Sequence, residues 1–238
     1  FSTGRKTNLS KYAGDSRLTM VDHDVVDKMD FSGVDQIYHL ACPASPVHYQ
    51  ADPIHTLKTN FLGTLNVLEL AEKNNAKILL ASTSEIYGDP LEHPQRESYK
   101  GNVNTIGPRS CYDEGKRVAE SLAYEFKQKG VDVKVVRIFN TYGPRMNFED
   151  GRVVSNFVLQ ALQNQPITMF GDGTQTRSFC FVTDLLDGFQ AMMEKNNYFG
   201  PVNLGNPTEL TMIEIAEKII ALTGSNSKIE FKDLPKDD

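Results

Sequence analysis

Tyr112 and Lys116 stand four residues apart, so on a helix that begins near Ser110 they share one face. An ammonium placed there favours the phenolate of a phenol whose ordinary pKa is ~10. Such a phenol can take a proton from a substrate hydroxyl while another group removes a hydride. The same spacing also arises by chance on amphipathic helices, where it means a core tyrosine and a solvated lysine. The neighbouring sequence decides between the two. Residues 77–81 form an apolar run that stops in Ser82, Thr83, Ser84 and Glu85, and residues 133–139 form another that stops in Asn140. Both read as buried strands. In an open parallel sheet ligands lie beyond the carboxyl ends of the strands, so both polar clusters fall where a substrate would sit. A carboxylate such as Glu85, just past a buried strand, must be solvated, paired or functional.

The elements that must position these residues follow from periodicity. Residues 53–75 carry Leu57, Phe61, Leu65, Leu68 and Ala71 near three-four spacing and predict a helix, with Lys58 and Thr59 on it. Residues 19–22 and 36–40 predict short strands, the second with His39 as a core or cofactor-wall residue and with Leu40 and Ala41 leading into a small proline-bearing loop. Ser110 is the expected N-cap of the helix bearing Tyr112, with Asp113 completing an arrangement like a capping box. Val118, Leu122 and Phe126 continue its apolar stripe until Gly130 stops it. Beyond residue 150 a smaller lobe is expected: helix 153–164, strand 167–170, a Gly-Asp-Gly turn, an extended stretch 175–182, helices 183–194 and 211–223 with strand 202–204 between them, and a last strand from 229. The predicted division is therefore 1–150 and 151–238, interwoven.

Composition sets bounds. The chain has 238 residues and a formal net charge of -6, ordinary for a globular protein and no invitation to nucleic acid. No apolar run is long enough for a membrane span, and the start lacks a signal-peptide pattern. Cys42, Cys111 and Cys180 lack metal-ligand spacing, and their odd number argues for reduced thiols; Cys111 has a packing role.

Taken in order, Ser-Thr-Ser-Glu-Ile-Tyr-Gly (82–88), Tyr112-x-x-x-Lys116 and Arg-Ile-Phe-Asn-Thr-Tyr-Gly-Pro-Arg (137–145) resemble the extended short-chain dehydrogenase/reductase superfamily acting on nucleotide sugars, and within it the UDP-glucuronate decarboxylases. The likeness extends through residues 40–46, 93–95, 101–104, 150–157 and 175–179, nearly the whole chain. It implies an α/β, Rossmann-like doubly wound parallel sheet, NAD as cofactor, UDP-glucuronate as substrate, and a homodimer joined by a four-helix bundle from helix 53–75 and the helix after Tyr112. The glycine-rich turn of the superfamily has no counterpart here. The expectation is thus a piece lacking the N-terminal strands, and lacking at its end an Arg-x-Pro-Asp segment.

The resemblance also assigns roles. Tyr112 is the base and Lys116 lowers its pKa; Thr83 or Ser84 holds the sugar C4 oxygen, and Glu85 lies near the carboxylate. Asp24 and Val25 lie against the adenine, though an Asp that caps a short helix is an equal reading of position 24. Leu40, Ala41 and Thr59 line the cofactor, and Lys58 approaches it and binds the sugar beside it, the alternative for Lys58 being a solvated face. Asn140 bonds sugar or phosphate, or merely turns the chain. Arg177, and secondarily Arg152, take the diphosphate, for which a guanidinium has the right geometry. The Ser84-Glu85 pair favours decarboxylation over a 4-epimerase or 4,6-dehydratase. A non-catalytic nucleotide-sugar binder is the remaining alternative. Members of the superfamily occur free in the cytoplasm or tethered in the Golgi, and the first is expected for this chain.

Overall fold

Ile78, Leu79 and Leu80 are all buried on consecutive positions of one strand, which demands cover on both faces. The computed structural model describes residues 4–148 and 151–234. The chain termini and Asp150, which opens the motif at 150–157, lie outside the described residues. In chain order the first half contains β1 (Gln36–His39), α1 (Pro46–Tyr49), α2 (Pro53–Lys58), α3 (Thr64–Asn74), β2 (Lys77–Thr83), α4 (Ser110–Gln128), β3 (Val133–Ile138) and β4 (Thr141–Tyr142). The second half contains α5 (Val153–Leu162), β5 (Ile167–Phe170), β6 (Thr176–Ser178), β7 (Cys180–Phe181), α6 (Val182–Glu194), β8 (Val202–Leu204), β9 (Glu209–Thr211), α7 (Met212–Thr223) and β10 (Ile229–Lys232).

The main sheet runs β1, β2, β3, β8, with every neighbouring pair parallel. Side chains alternate across a strand. Ile78 and Leu80 pack with Val133 and Val135 against Leu68, Ala71, Ala119, Ala123 and Phe126 of α3 and α4, while Leu79 and Val136 pack against Leu185, Phe189 and Met192 of α6. The result is a three-layer sandwich. It borrows β8 and α6 from the second half of the sequence, so the halves are interwoven. A smaller cluster of Phe157, Ala161, Ile167, Met169, Ile215 and Ala216 joins α5, β5 and α7 beside the parallel pair β5 and β10.

Four expectations need correction. Residues 19–22 form no strand; among the described residues no strand pairs with them to complete a ladder, and an unpaired stretch cannot be one. The predicted helix 53–75 is interrupted by a π-helical turn at Thr59–Gly63. The stretch 175–182 splits, β6 pairing antiparallel with the unforeseen β9 and β7 pairing parallel with β4. Ser110 is not the N-cap of α4. That position belongs to Arg109, and the Ser110 hydroxyl donates to the Gly107 carbonyl at 2.7 Å instead of accepting from the helix.

Candidate active site

The site grows from the exit of β2 and the first turns of α4. After Thr83 the chain enters a 3-10 turn, Ser84–Tyr87, because the Thr83 hydroxyl accepts from the Glu85 amide at 3.3 Å. That turn holds Ser84 and Glu85 half-buried. Opposite it, Tyr112 and Lys116 lie buried on the inner face of α4, followed by Ala119, Ala123 and Phe126. Small alanines let the helix lie close to the sheet.

Lys116 Nζ donates to the Ala81 carbonyl at 2.9 Å and lies 5.8 Å from the centre of the Tyr112 ring. Burial pushes the Lys116 ammonium below its ordinary value, opposed by Cys42 and Glu120. Burial also pushes the Tyr112 phenol above its ordinary value, opposed by a hydrogen bond with Thr83 and by the charge of Arg152. Desolvation outweighs both of these.

Three residues beyond the expected set lie against Tyr112 and Glu85. The Tyr49 ring stacks on Tyr112 at 4.9 Å between centroids and 8° between planes. Arg109 pairs with Glu85 Oε2 and stands 4.0 Å from Asp113 Oδ2. Asp113 is buried, its Oδ1 has no hydrogen-bond partner, and burial together with Glu85 raises its pKa to about 7. Arg109 and Asp113 were legible as an i, i+4 pair at the start of the helix of Tyr112. Tyr49 had no signal, because only the turn of the chain after β1 brings it there.

The remaining candidates divide. Thr59 is buried in the π-turn with its hydroxyl unpartnered. π-turns are frequent at functional sites, and this one packs Asn60 against Gly115 of α4. Val25 packs on Gly63, and Asn66 Nδ2 donates to the carbonyls of Val25, Val26 and Asp27. Asp24 turns its own segment by accepting from the Val26 amide and faces His55 at 3.5 Å. Leu40 is exposed and Ala41 half-buried at the exit of β1. His39 is a core residue: its Nε2 is 3.1 Å from the Thr64 hydroxyl, and burial with the Lys116 charge pushes it down to about 3. Arg152 reaches Tyr112 electrostatically. Lys58 and Asn140 are exposed, and Arg177 donates to the Thr176 carbonyl of its own strand.

Residues 3–205 match the model of the NAD dependent epimerase/dehydratase family. The chain is 57% identical to UDP-glucuronic acid decarboxylase 1 of Arabidopsis thaliana, over all of its own length and 54% of that protein. It is 54% identical to UDP-glucuronic acid decarboxylase 6 of the same plant, over all of its own length and 69% of that protein. Among solved structures, dTDP-glucose 4,6-dehydratase from Streptomyces venezuelae with NAD bound superposes with a TM-score of 0.86 at 25% identity, covering 99% of this chain and 73% of that one. The chain thus spans about half the length of the first of these relatives.

Proposed function

The chain belongs to the NAD dependent epimerase/dehydratase family, and we propose that it carries the catalytic centre of an enzyme that removes carbon dioxide from UDP-glucuronate to give UDP-xylose. The observation that carries this reading is the place of one carboxylate. Glu85 is held by Arg109 at the exit of β2, beside Tyr112, in a chain more than half identical to proteins named for that activity.

The residues present fit a dinucleotide. A buried cation, Lys116, stands on the Ala81 carbonyl of β2, an unpartnered buried hydroxyl, Thr59, lies in the π-turn that packs on α4, Leu40 and Ala41 leave the end of β1, and Val25 packs on Gly63 of the same turn. Bound there, NAD would accept a hydride from C4 of the sugar and later return it. Tyr112 takes the C4 hydroxyl proton, Lys116 stabilises the negative charge this leaves, and Thr83 or Ser84 donates to the C4 oxygen. A ketone at C4 stands beta to the carboxylate, so carbon dioxide departs leaving an enolate rather than a bare carbanion. Glu85, fixed by Arg109, faces the carboxylate and C5. Protonation at C5 and return of the Tyr112 proton to the C4 oxygen complete the pentose. Arg152, Asn140, Lys58 and Arg177 hold the sugar and diphosphate.

Three further assignments belong to this reading. Residues 1–150 bind the cofactor and 151–238 the nucleotide sugar. Ile54, Leu57 and Phe61, exposed on one face of α2 and the π-turn, form with α4 the four-helix contact of a homodimer. The three free cysteines favour a reducing compartment, the cytoplasm. No helix among the described residues is long and apolar enough to cross a membrane.

The test is to incubate the complete protein with UDP-glucuronate and NAD⁺ and follow products by mass spectrometry. Release of carbon dioxide with UDP-xylose is expected. An isomer of unchanged mass would make it an epimerase, and no turnover would make it a binder.

A further inference from the structure

A second polar network occupies the carboxyl end of the sheet, and the reaction above does not use it. Glu120 lies one turn beyond Lys116 on α4. Its Oε1 accepts from the Ser82 hydroxyl at 2.5 Å and from Arg137 Nε at 3.0 Å, and its Oε2 accepts from Arg137 Nη2 at 2.7 Å. Arg137 Nη1 donates onward to the Tyr87 hydroxyl at 2.9 Å and to the Glu97 carbonyl at 3.0 Å. The Tyr87 hydroxyl donates to Asn203 Oδ1 at 2.8 Å. One two-pronged ion pair therefore joins α4, β2 and β3, and through Tyr87 and Asn203 it reaches the 3-10 turn and β8.

The attachment points matter more than their number. Ser82 immediately precedes Thr83, and Tyr87 closes the turn that carries Ser84 and Glu85. The network thus grips the catalytic strand exit on both sides and ties it to the helix of Tyr112 and Lys116. A buried ion pair is weak evidence for stability, because desolvation offsets the attraction. Geometry at a reacting centre is where such a pair has most effect, since small misplacements there cost large factors in rate.

Lys116 is faced by His39 from β1, by Cys42 from the loop after β1, by the Ala81 carbonyl of β2, and by Tyr112 and Glu120 on its own helix. His39 is neutral, and burial pushes the Cys42 thiol up. Glu120 is the carboxylate of this group, and it is itself neutralised in part by Arg137.

We infer that Glu120 is a positioning residue of the proposed reaction: through Ser82 and Arg137 it sets Thr83 and Glu85 against Tyr112, and its charge supports the buried Lys116 ammonium. The first half rests on the decarboxylase reading, and the second stands on the fold alone.

The experiment uses the complete protein and its Glu120→Gln variant, measuring kcat and KM for UDP-glucuronate against pH, and Tm against pH without substrate. Glu120→Gln is expected to lower kcat tenfold to a hundredfold, on the order of a misplaced reacting group, with KM little changed. Its alkaline limb moves to lower pH, because Lys116 gives up its proton sooner. Without substrate, the Tm deficit of the variant shrinks as pH rises from neutrality: the unfolded lysine keeps its proton while the unsupported buried one loses it. In a Lys116→Met background the deficit is the same at every pH. A constant deficit in the Lys116 background overturns the electrostatic half, and an unchanged kcat overturns the positioning half. A parent protein that releases no carbon dioxide sinks the decarboxylase reading and with it the positioning half, while the melting curves still decide the electrostatic half. If Glu120→Gln does not fold, Ser82→Ala removes a single hydroxyl, and an unchanged kcat in that variant overturns the positioning role.

Discussion

Lys116 Nζ is hooked onto the Ala81 carbonyl at 2.9 Å, not onto the phenol of Tyr112, whose ring centre is 5.8 Å away. The cation is thus fixed to the strand whose end carries Thr83. Its distance from the phenol is set by the packing of α4 on β2, so the two residues act as one unit. Tyr112→Phe is expected to lower turnover by about 10²–10⁴ with the fold intact, the usual range for a lost acid-base group. Lys116→Met should fall in the same range while melting no lower than the parent, because it removes a buried ammonium. Product assays and thermal melts of both variants check this.

Asp113 sets a pH dependence of stability. Its carboxyl is raised from 3.8 to about 7, first by burial and then by Glu85. The folded protein binds the proton more tightly than the unfolded one, so this contribution is fully present below about pH 4 and is lost as pH rises through about 7. Asp113→Asn is therefore expected to raise Tm relative to the parent at pH 8, with the gain vanishing towards pH 4. A gain of equal size at both ends would contradict the assignment.

Glu85 and Arg109 are expected to act after the C4 oxidation. Glu85→Gln keeps the oxidation and slows loss of carbon dioxide, so a 4-keto sugar that still carries its carboxylate should be released and seen by mass spectrometry. Arg109→Ala frees Glu85 and should give the same product pattern. A variant that lowers every step equally would point to a purely structural pair.

Gly115 is the close-approach point between α4 and the π-turn. A Cβ there would meet Asn60 Nδ2 at 2.8 Å and Asn60 Cβ at 3.0 Å. Gly115→Val is expected to destabilise the fold by about 1–3 kcal/mol through overpacking. It should also lower activity, because Thr59 and Lys116 lie on the two surfaces forced apart. Denaturant melts and turnover measure the two effects separately.

The exposed stripe Ile54, Leu57 and Phe61 predicts a contact between two copies. Phe61→Asp is expected to halve the solution mass read by light scattering. A monomeric parent would remove the dimer from the proposal.

The sequence by itself determined the strands begun by the apolar runs 77–81 and 133–139, the first of which the structure carries on to Thr83, the helix of Tyr112 and Lys116, and the place of Ser84 and Glu85 at a strand exit. Those are local matters: unbroken apolar runs, helical spacing and a polar stop report directly on burial and period. Tertiary structure alone decided which distant groups share a site. Tyr49 reaches Tyr112 only because the chain doubles back after β1. Asp113 fits a capping pattern on paper, yet it is buried beside Arg109 because the packing of α4 decides which of its faces turns inward. The Tyr112 phenol is held high because desolvation depends on everything packed around it, a sum over contacts distant in sequence that no spacing of two residues encodes.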